Sequence, residues 1–258
     1  MANTITGLDL ITSPVRANYR LAIESATNPL EETQGFNLQE LSGNKIITVN
    51  SAADFPDPVS TVITLEDNTA YCVSDQFSMS DSLVAGSGSV IFGFGPRVSK
   101  ITYTGTGTFL TITDATMTVN RMGFNCASGT FIAADSSGLA NQFVTIESSR
   151  IDSCTKLGTF DDISLNISNF ASVSHDDGIS MSGTAGFCIA EGFSSIDSDA
   201  GSIGLDIGTT TIRNFQMRRC TFVGTGIGMS GAASSANIPA GNIATVDDVN
   251  FSNITTPI

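Results

Sequence analysis

Five carboxylates raise the first chemical question. Asp161 and Asp162 are adjacent, Asp176 and Asp177 are adjacent, and Glu147 lies upstream of both pairs. Two carboxyl groups about 5–10 Å apart are the machinery of glycoside hydrolysis, one serving as acid and the other as base or nucleophile. Asp247, Asp248 and Glu191 extend the set of acidic candidates. Neighbouring residues on a strand point to opposite faces, so at most one member of each pair can face a common groove. Asp also favours turns, where its side chain bonds the local backbone, and that is the plainer expectation for the pairs. His175, the sole histidine, directly precedes Asp176. Ser174, His175 and Asp176 in succession do not make a triad, because triad geometry is spatial. A loop histidine is expected.

The five cysteines are Cys72, Cys126, Cys154, Cys188 and Cys220. An odd number leaves at least one thiol unpaired, and no CxxC or Cys/His spacing marks a metal site. No metal and no cofactor is expected. The thiols read as buried small hydrophobes of a reducing compartment. The last four are separated by 28, 34 and 32 residues, so they are expected to stack inside a repeating structure.

Charge narrows the partners. The chain of 258 residues carries 11 Lys+Arg against 25 Asp+Glu, a formal net charge of -14. Phosphate recognition needs a basic surface, so nucleic acid is excluded as a partner. The N-terminal residues show neither a basic region nor an apolar stretch of signal-peptide type. No run approaches the roughly 18 apolar residues of a membrane span. Assembly in a cytoplasm, with no membrane span, is expected.

The elements that must position these groups are short strands. Charged residues are only 14%, with 25 Gly and 16 Phe, a composition unsuited to long amphipathic helices. Residues 1–45 differ from the rest. Thr12-Ser13-Pro14 is a helix start signal, predicting a short helix over residues 14–24. The whole segment reads as an attachment or capping piece, helical or extended. Residues 46–258 form the main domain. Ile46-Ile47-Thr48-Val49, Val62-Ile63-Thr64-Leu65, Ala70-Tyr71-Cys72-Val73 and Ser89-Val90-Ile91-Phe92 each end at Gly, Asn, Asp or Pro. Further on, a hydrophobic residue followed five positions later by another recurs as Val119/Phe124, Ile146/Ile151, Leu165/Phe170, Cys188/Phe193, Met217/Phe222 and Val246/Phe251. Successive pairs stand 19 to 29 residues apart, and repeats of this length signal a solenoid, in which each turn buries its apolar side on its neighbours. A β-sandwich or jelly roll is the competing all-β architecture.

One stretch carries a resemblance. Ile63-Thr64-Leu65 is followed by Tyr71-Cys72-Val73, then by Ile91-Phe92-Gly93-Phe94-Gly95 and Ser99-Lys100-Ile101. This order, opened by the lead-in Thr48 to Pro56, resembles the first turns of the pectate-lyase-like right-handed parallel β-helix superfamily, especially bacteriophage tailspike and virion-appendage members. Gly93 and Gly95 have a physical role of their own, since a turn between stacked strands needs close backbone approach or positive φ. They do not form a dinucleotide fingerprint.

The resemblance implies an all-β, right-handed parallel β-helix with a short N-terminal attachment segment. It also implies two enzymatic readings. A polysaccharide lyase needs a basic catalyst and Ca²⁺-holding carboxylates, and a chain at -14 repels a polyanionic substrate. A tailspike-type glycoside hydrolase acting on host surface polysaccharide would draw on Asp161, Asp162, Asp176, Asp177 or Glu147. Sugar clefts are commonly floored by Trp and Tyr, and this chain has no Trp and three Tyr. The leading expectation is therefore a non-catalytic virion structural protein, a capsid-decoration or tail fibre or spike component. It would be a homotrimer made in the host cytoplasm and docked through residues 1–45 to a phage capsid or tail protein. A host-surface glycan is the alternative partner.

Overall fold

The computed structural model describes residues 20–21, 36–37, 45–137, 142–197, 203–208, 210–224, 227–230 and 243–252. The chain divides into two compact units, Met1–Asn44 and Lys45–Ile258. In the first, Arg20–Leu21 pairs antiparallel with Phe36–Asn37. The expected helix therefore does not run through Arg20 and Leu21, which find a cross-strand partner instead; an isolated helix of that length is marginal in water. The other residues of that expectation lie outside the described ones.

The second unit is a parallel β-solenoid. Nine strands form one sheet, running from Lys45–Val49 to Ile243–Asp247. A thirteen-stranded sheet supplies the other walls. Its long strands, Gly123–Asp135, Arg150–Asp161 and Ala171–Ser182, bend midway, so the sheet folds into two faces. Each coil visits the nine-stranded face (face one), then the face holding Lys100–Tyr103 and residues 123–126 (face two), then the face holding Thr108–Thr113 and residues 130–135 (face three). Among the described residues every strand-to-strand pairing in the two sheets is parallel, as the competing sandwich architecture does not allow.

Local sequence makes this coil in a simple way. Strands of three to six residues alternate inward apolar with outward polar side chains, as in Leu165-Asn166-Ile167-Ser168. At the corner from face one to face two, a single residue in the left-handed region turns the chain: Arg121, Ser148, Asn169, Gly192, Arg219 and Asp248, with φ between 48° and 63°. The backbone N–H of this residue bonds the next coil, for example Arg121 to the Glu147 carbonyl at 3.0 Å and Asn169 to the Glu191 carbonyl at 2.8 Å. The corner from face three to face one uses Asn68, Gly88, Asp114, Asp162 and Gly183 in the same conformation. Gly, Asn and Asp tolerate it best, which explains the punctuation visible in the sequence.

Inside, residues stack in columns one coil apart. On face one, Ile47, Tyr71, Ile91, Val119, Ile146, Ile167, Ala190, Met217 and Val246 are successive register partners. On face two the column is Phe77, Ile101, Phe124, Ile151, Ser172, Ser195, Phe222 and Phe251. Burial of each large side chain is worth about 1.5–3 kcal/mol, and one coil alone cannot provide it. Aromatic rings link the coils: Phe131 stacks on Phe170 at 6.3 Å, Phe170 on Phe193 at 5.8 Å and Phe222 on Phe251 at 5.5 Å. Below the first coils, the short turn Ala52–Asp54 places buried Phe55 against Tyr71 at 5.4 Å and Phe77 at 6.3 Å, plugging that end of the column.

These columns correct the repeat read from sequence. Val119/Phe124, Ile146/Ile151, Met217/Phe222 and Val246/Phe251 occupy equivalent places, but Leu165/Phe170 and Cys188/Phe193 sit two residues early. The true equivalents are Ile167/Ser172 and Ala190/Ser195. In those two coils face two carries Ser, and the Phe has moved to the preceding corner position.

The two glycines of the early turn behave as expected. A Cβ on Gly93 would lie 2.3 Å from the Ser99 Cβ, and Gly95 has φ +130°. Ser99 is buried, donating through Oγ to the Val73 carbonyl at 2.7 Å and accepting from the Phe94 N–H at 2.8 Å.

Candidate functional site

The five acidic candidates fall on three different edges of the solenoid. Asp161 and Asp162 lie at the corner from face three to face one, both exposed. Asp176 and Asp177 lie at the bend between faces two and three, inside Ala171–Ser182. Glu147 ends a face-one strand beside the corner to face two. Five strand residues separate the Asp177 level from Ser182, the register partner of Asp161, a span of about 17 Å. That exceeds the separation at which two carboxyls share a glycosidic bond.

Four of these groups also have local work. Asp162, with φ 52°, accepts the Thr184 N–H at 2.7 Å from the coil above. Asp114 does the same two coils earlier on that edge, accepting the Ser137 N–H at 2.8 Å. Asp161 accepts the Ser182 hydroxyl at 2.7 Å. Asp177 pairs with Lys156 at 3.0 Å and accepts the Gly178 N–H at 3.1 Å. Glu147 accepts from the Asn120 amide at 3.2 Å. Asp176 is exposed. The turn-building role of Asp161 and Asp162 is thus visible as inter-coil hydrogen bonds. Glu191 sits two coils above Glu147 in the same outward column, through Ser168, and pairs with Arg219.

Two features escape a reading by sequence position. Asp135 is the direct register partner of Asp161, and both are exposed at the edge of face three. They stand 26 positions apart, one coil, so a coil-length offset between acidic residues is the signal that finds them. Second, His175 is not a loop residue. It points into the coil, 0% exposed, with Nε2 2.8 Å from the Ser195 Oγ. Ser195, not Ser174, is its neighbour, again one coil away. The distance suits a nucleophile and base. Ser195 is itself only 1% exposed, so the pair is sealed from any substrate and acts as an interior hydrogen bond.

The outer surface of face two holds the clearest ionic group. Lys100 crosses Gly123, its register neighbour, and reaches Asp152 at 2.5 Å, while Arg150 pairs with the other oxygen at 2.7 Å. A Cβ on Gly123 would meet the Pro96 carbonyl at 2.2 Å and the Lys100 stem at 3.3 Å, so only Gly leaves the path open. Partial burial pushes the Asp152 carboxyl up, but the hydrogen bonds and charges of Lys100 and Arg150 outweigh it and leave its pKa lowered. The cluster ties three coils together.

All five thiols are free. Only Cys126 and Cys154 stack as register partners; Cys188 lies on face one and Cys220 at a corner. Burial raises all of them, Cys154 and Cys188 to about 12, with Asp176 adding to Cys154 and Cys220 to Cys188. Among the described residues no group of three His, Cys, Asp or Glu is arranged to hold a metal ion, and no helix is long and apolar enough to cross a membrane.

What the fold and these groups define is a protein of the parallel β-solenoid class. Comparison with family models, with curated proteins and with solved structures found no match.

Proposed function

We propose that this chain is a non-catalytic structural component of a bacteriophage particle, a capsid-decoration or tail fibre or spike protein, probed most directly as a homotrimer docked through residues 1–45. The observation that carries the reading is the dispersal of the acidic candidates over three edges, each of Asp161, Asp162, Asp177 and Glu147 already engaged in bonds that hold coils together. An elongated stack of coils with its polar groups committed to inter-coil bonds is a scaffold, and fold alone assigns no chemistry.

The test is mass spectrometry of purified phage particles together with light scattering of the isolated chain. The reading requires the chain in stoichiometric amount in the particles and a solution mass three times 26.8 kDa. Absence from particles overturns it.

The Asp135–Asp161 pair favours a second reading, a glycan-cleaving protein, because register partners are about 4.8 Å apart between strands, close to the spacing of a retaining glycosidase. Release of reducing ends from host capsular or lipopolysaccharide glycans, abolished by Asp161→Asn and by Asp135→Asn, would establish that reading and remove the first.

A further inference from the structure

Cys126 and Cys154 face each other across adjacent coils. They are direct register partners on face two, both inward, 0% and 2% exposed, and both are free thiols. Adjacent strands lie about 4.8 Å apart, and a disulfide bridges Cα separations of about 4.4–6.8 Å. In parallel strands the Cβ atoms start about as far apart as the Cα atoms, so closure needs a local approach of under about 1 Å. The backbone supplies room for it: the register of the pair shifts on both sides of Cys126, between Phe124 and Cys126 and between Cys126 and Thr130. Bulged strands of this kind bend where regular ones do not. The other cysteines lack this arrangement. Cys72 is partnered by Thr48 and Phe92, and Cys188 by Leu165 and Phe215.

We propose that Cys126 and Cys154 are a modification site, a latent inter-coil disulfide that closes when the chain folds in the presence of a small-molecule disulfide. One protein thiolate attacks the small disulfide and expels one small thiolate, forming a mixed disulfide. The second protein thiolate attacks the protein sulfur of that bond and expels the other small thiolate. Two protein thiols are oxidised to one S–S bond, and one small disulfide is reduced to two thiols. Once the coils have stacked, burial withholds both the thiolate form and access, so the folded reduced protein is inert. The redox state at the moment of folding therefore decides whether two coils are stapled.

The experiment is cell-free synthesis of the full chain in a glutathione redox buffer, followed by alkylation, mass measurement and peptide mapping. The expected product takes up two fewer alkyl groups than the fully reduced chain with its five thiols, with Cys126 and Cys154 in one bridged peptide pair. Its thermal midpoint should rise by roughly 5–10 °C over the reduced chain. Cys126→Ala and Cys154→Ala should each lose the bridge and the shift, and Cys188→Ala should keep both. A chain that stays fully reduced at an oxidising poise, or one bridged through Cys72, Cys188 or Cys220 instead, overturns the proposal on the wild-type mass map alone.

Discussion

Face two contains two kinds of coil. In the coils of Phe124, Ile151 and Phe222 the inward strand position is large, and the preceding corner position holds Met122, Ser149 or Cys220. In the coils of Ser172 and Ser195 the strand position is small, and the corner holds Phe170 or Phe193. All of these side chains are buried. Face three shows the same exchange: Ile132 goes with Ala134 in one coil, and Gly158 with Phe160 in the next. A Cβ on Gly158 would lie 2.8 Å from the Phe160 ring. In these coils a small side chain in one column goes with a large one in the neighbouring column, as close packing demands, whereas the Met122/Phe124 and Ile179/Met181 coils are large in both.

The largest effects should come from breaking that exchange. Phe193→Ala leaves a void between Phe170 and Phe222 and should cost about 3–5 kcal/mol in denaturant unfolding. Phe170→Ser and Ser172→Phe should each destabilise the protein, yet the double variant should cost less than their sum by about 1 kcal/mol or more. Strict additivity would break the comparison. At the corners the effects are smaller. Asp162→Ala removes the acceptor for the Thr184 N–H and puts a β-carbon residue without a polar side chain at φ 52°, for about 1–2 kcal/mol. Asp162→Asn should stay within about 0.5 kcal/mol, since Asn tolerates the same backbone and keeps the oxygen.

Asp152→Asn should cost under about 1 kcal/mol, because the group is partly solvated. Its pKa is lowered in the fold, so its contribution is present above the unfolded value near pH 4 and is lost as pH falls through the folded value. The difference between wild type and variant should therefore vanish in acid, read from urea midpoints at falling pH. Smallest of all, Ser172→Ala should be neutral or slightly stabilising, because the Ser172 hydroxyl is fully buried without a hydrogen-bond partner.

The coil itself was legible because short alternating strands end at Gly, Asn and Asp, which hold many of the left-handed corners, while Arg121, Ser148 and Arg219 hold others without that signal. The register was not fully legible. A pattern of two hydrophobic positions follows the largest side chain, and in two coils Phe170 and Phe193 draw it to the corner. The turn role of Asp162 was legible, whereas Asp176 and Asp177 lie inside the strand Ala171–Ser182. Asp135, Ser195 and the inward aim of His175 were not legible, because each acquires its meaning from a residue one coil away, and coil lengths here range from 20 residues upward.

The most direct test is spin-label distance measurement on the outward face-one column. Thr118, Thr145, Asn166, Ile189, Gln216 and Thr245 are successive partners. With one label fixed at Thr118, the distances to Ile189, Gln216 and Thr245 should grow by about 4.8 Å per coil, to roughly 14, 19 and 24 Å between backbones. Distances that fail to increase in that order, as two antiparallel sheets packed face to face would give, would contradict the stacked coil.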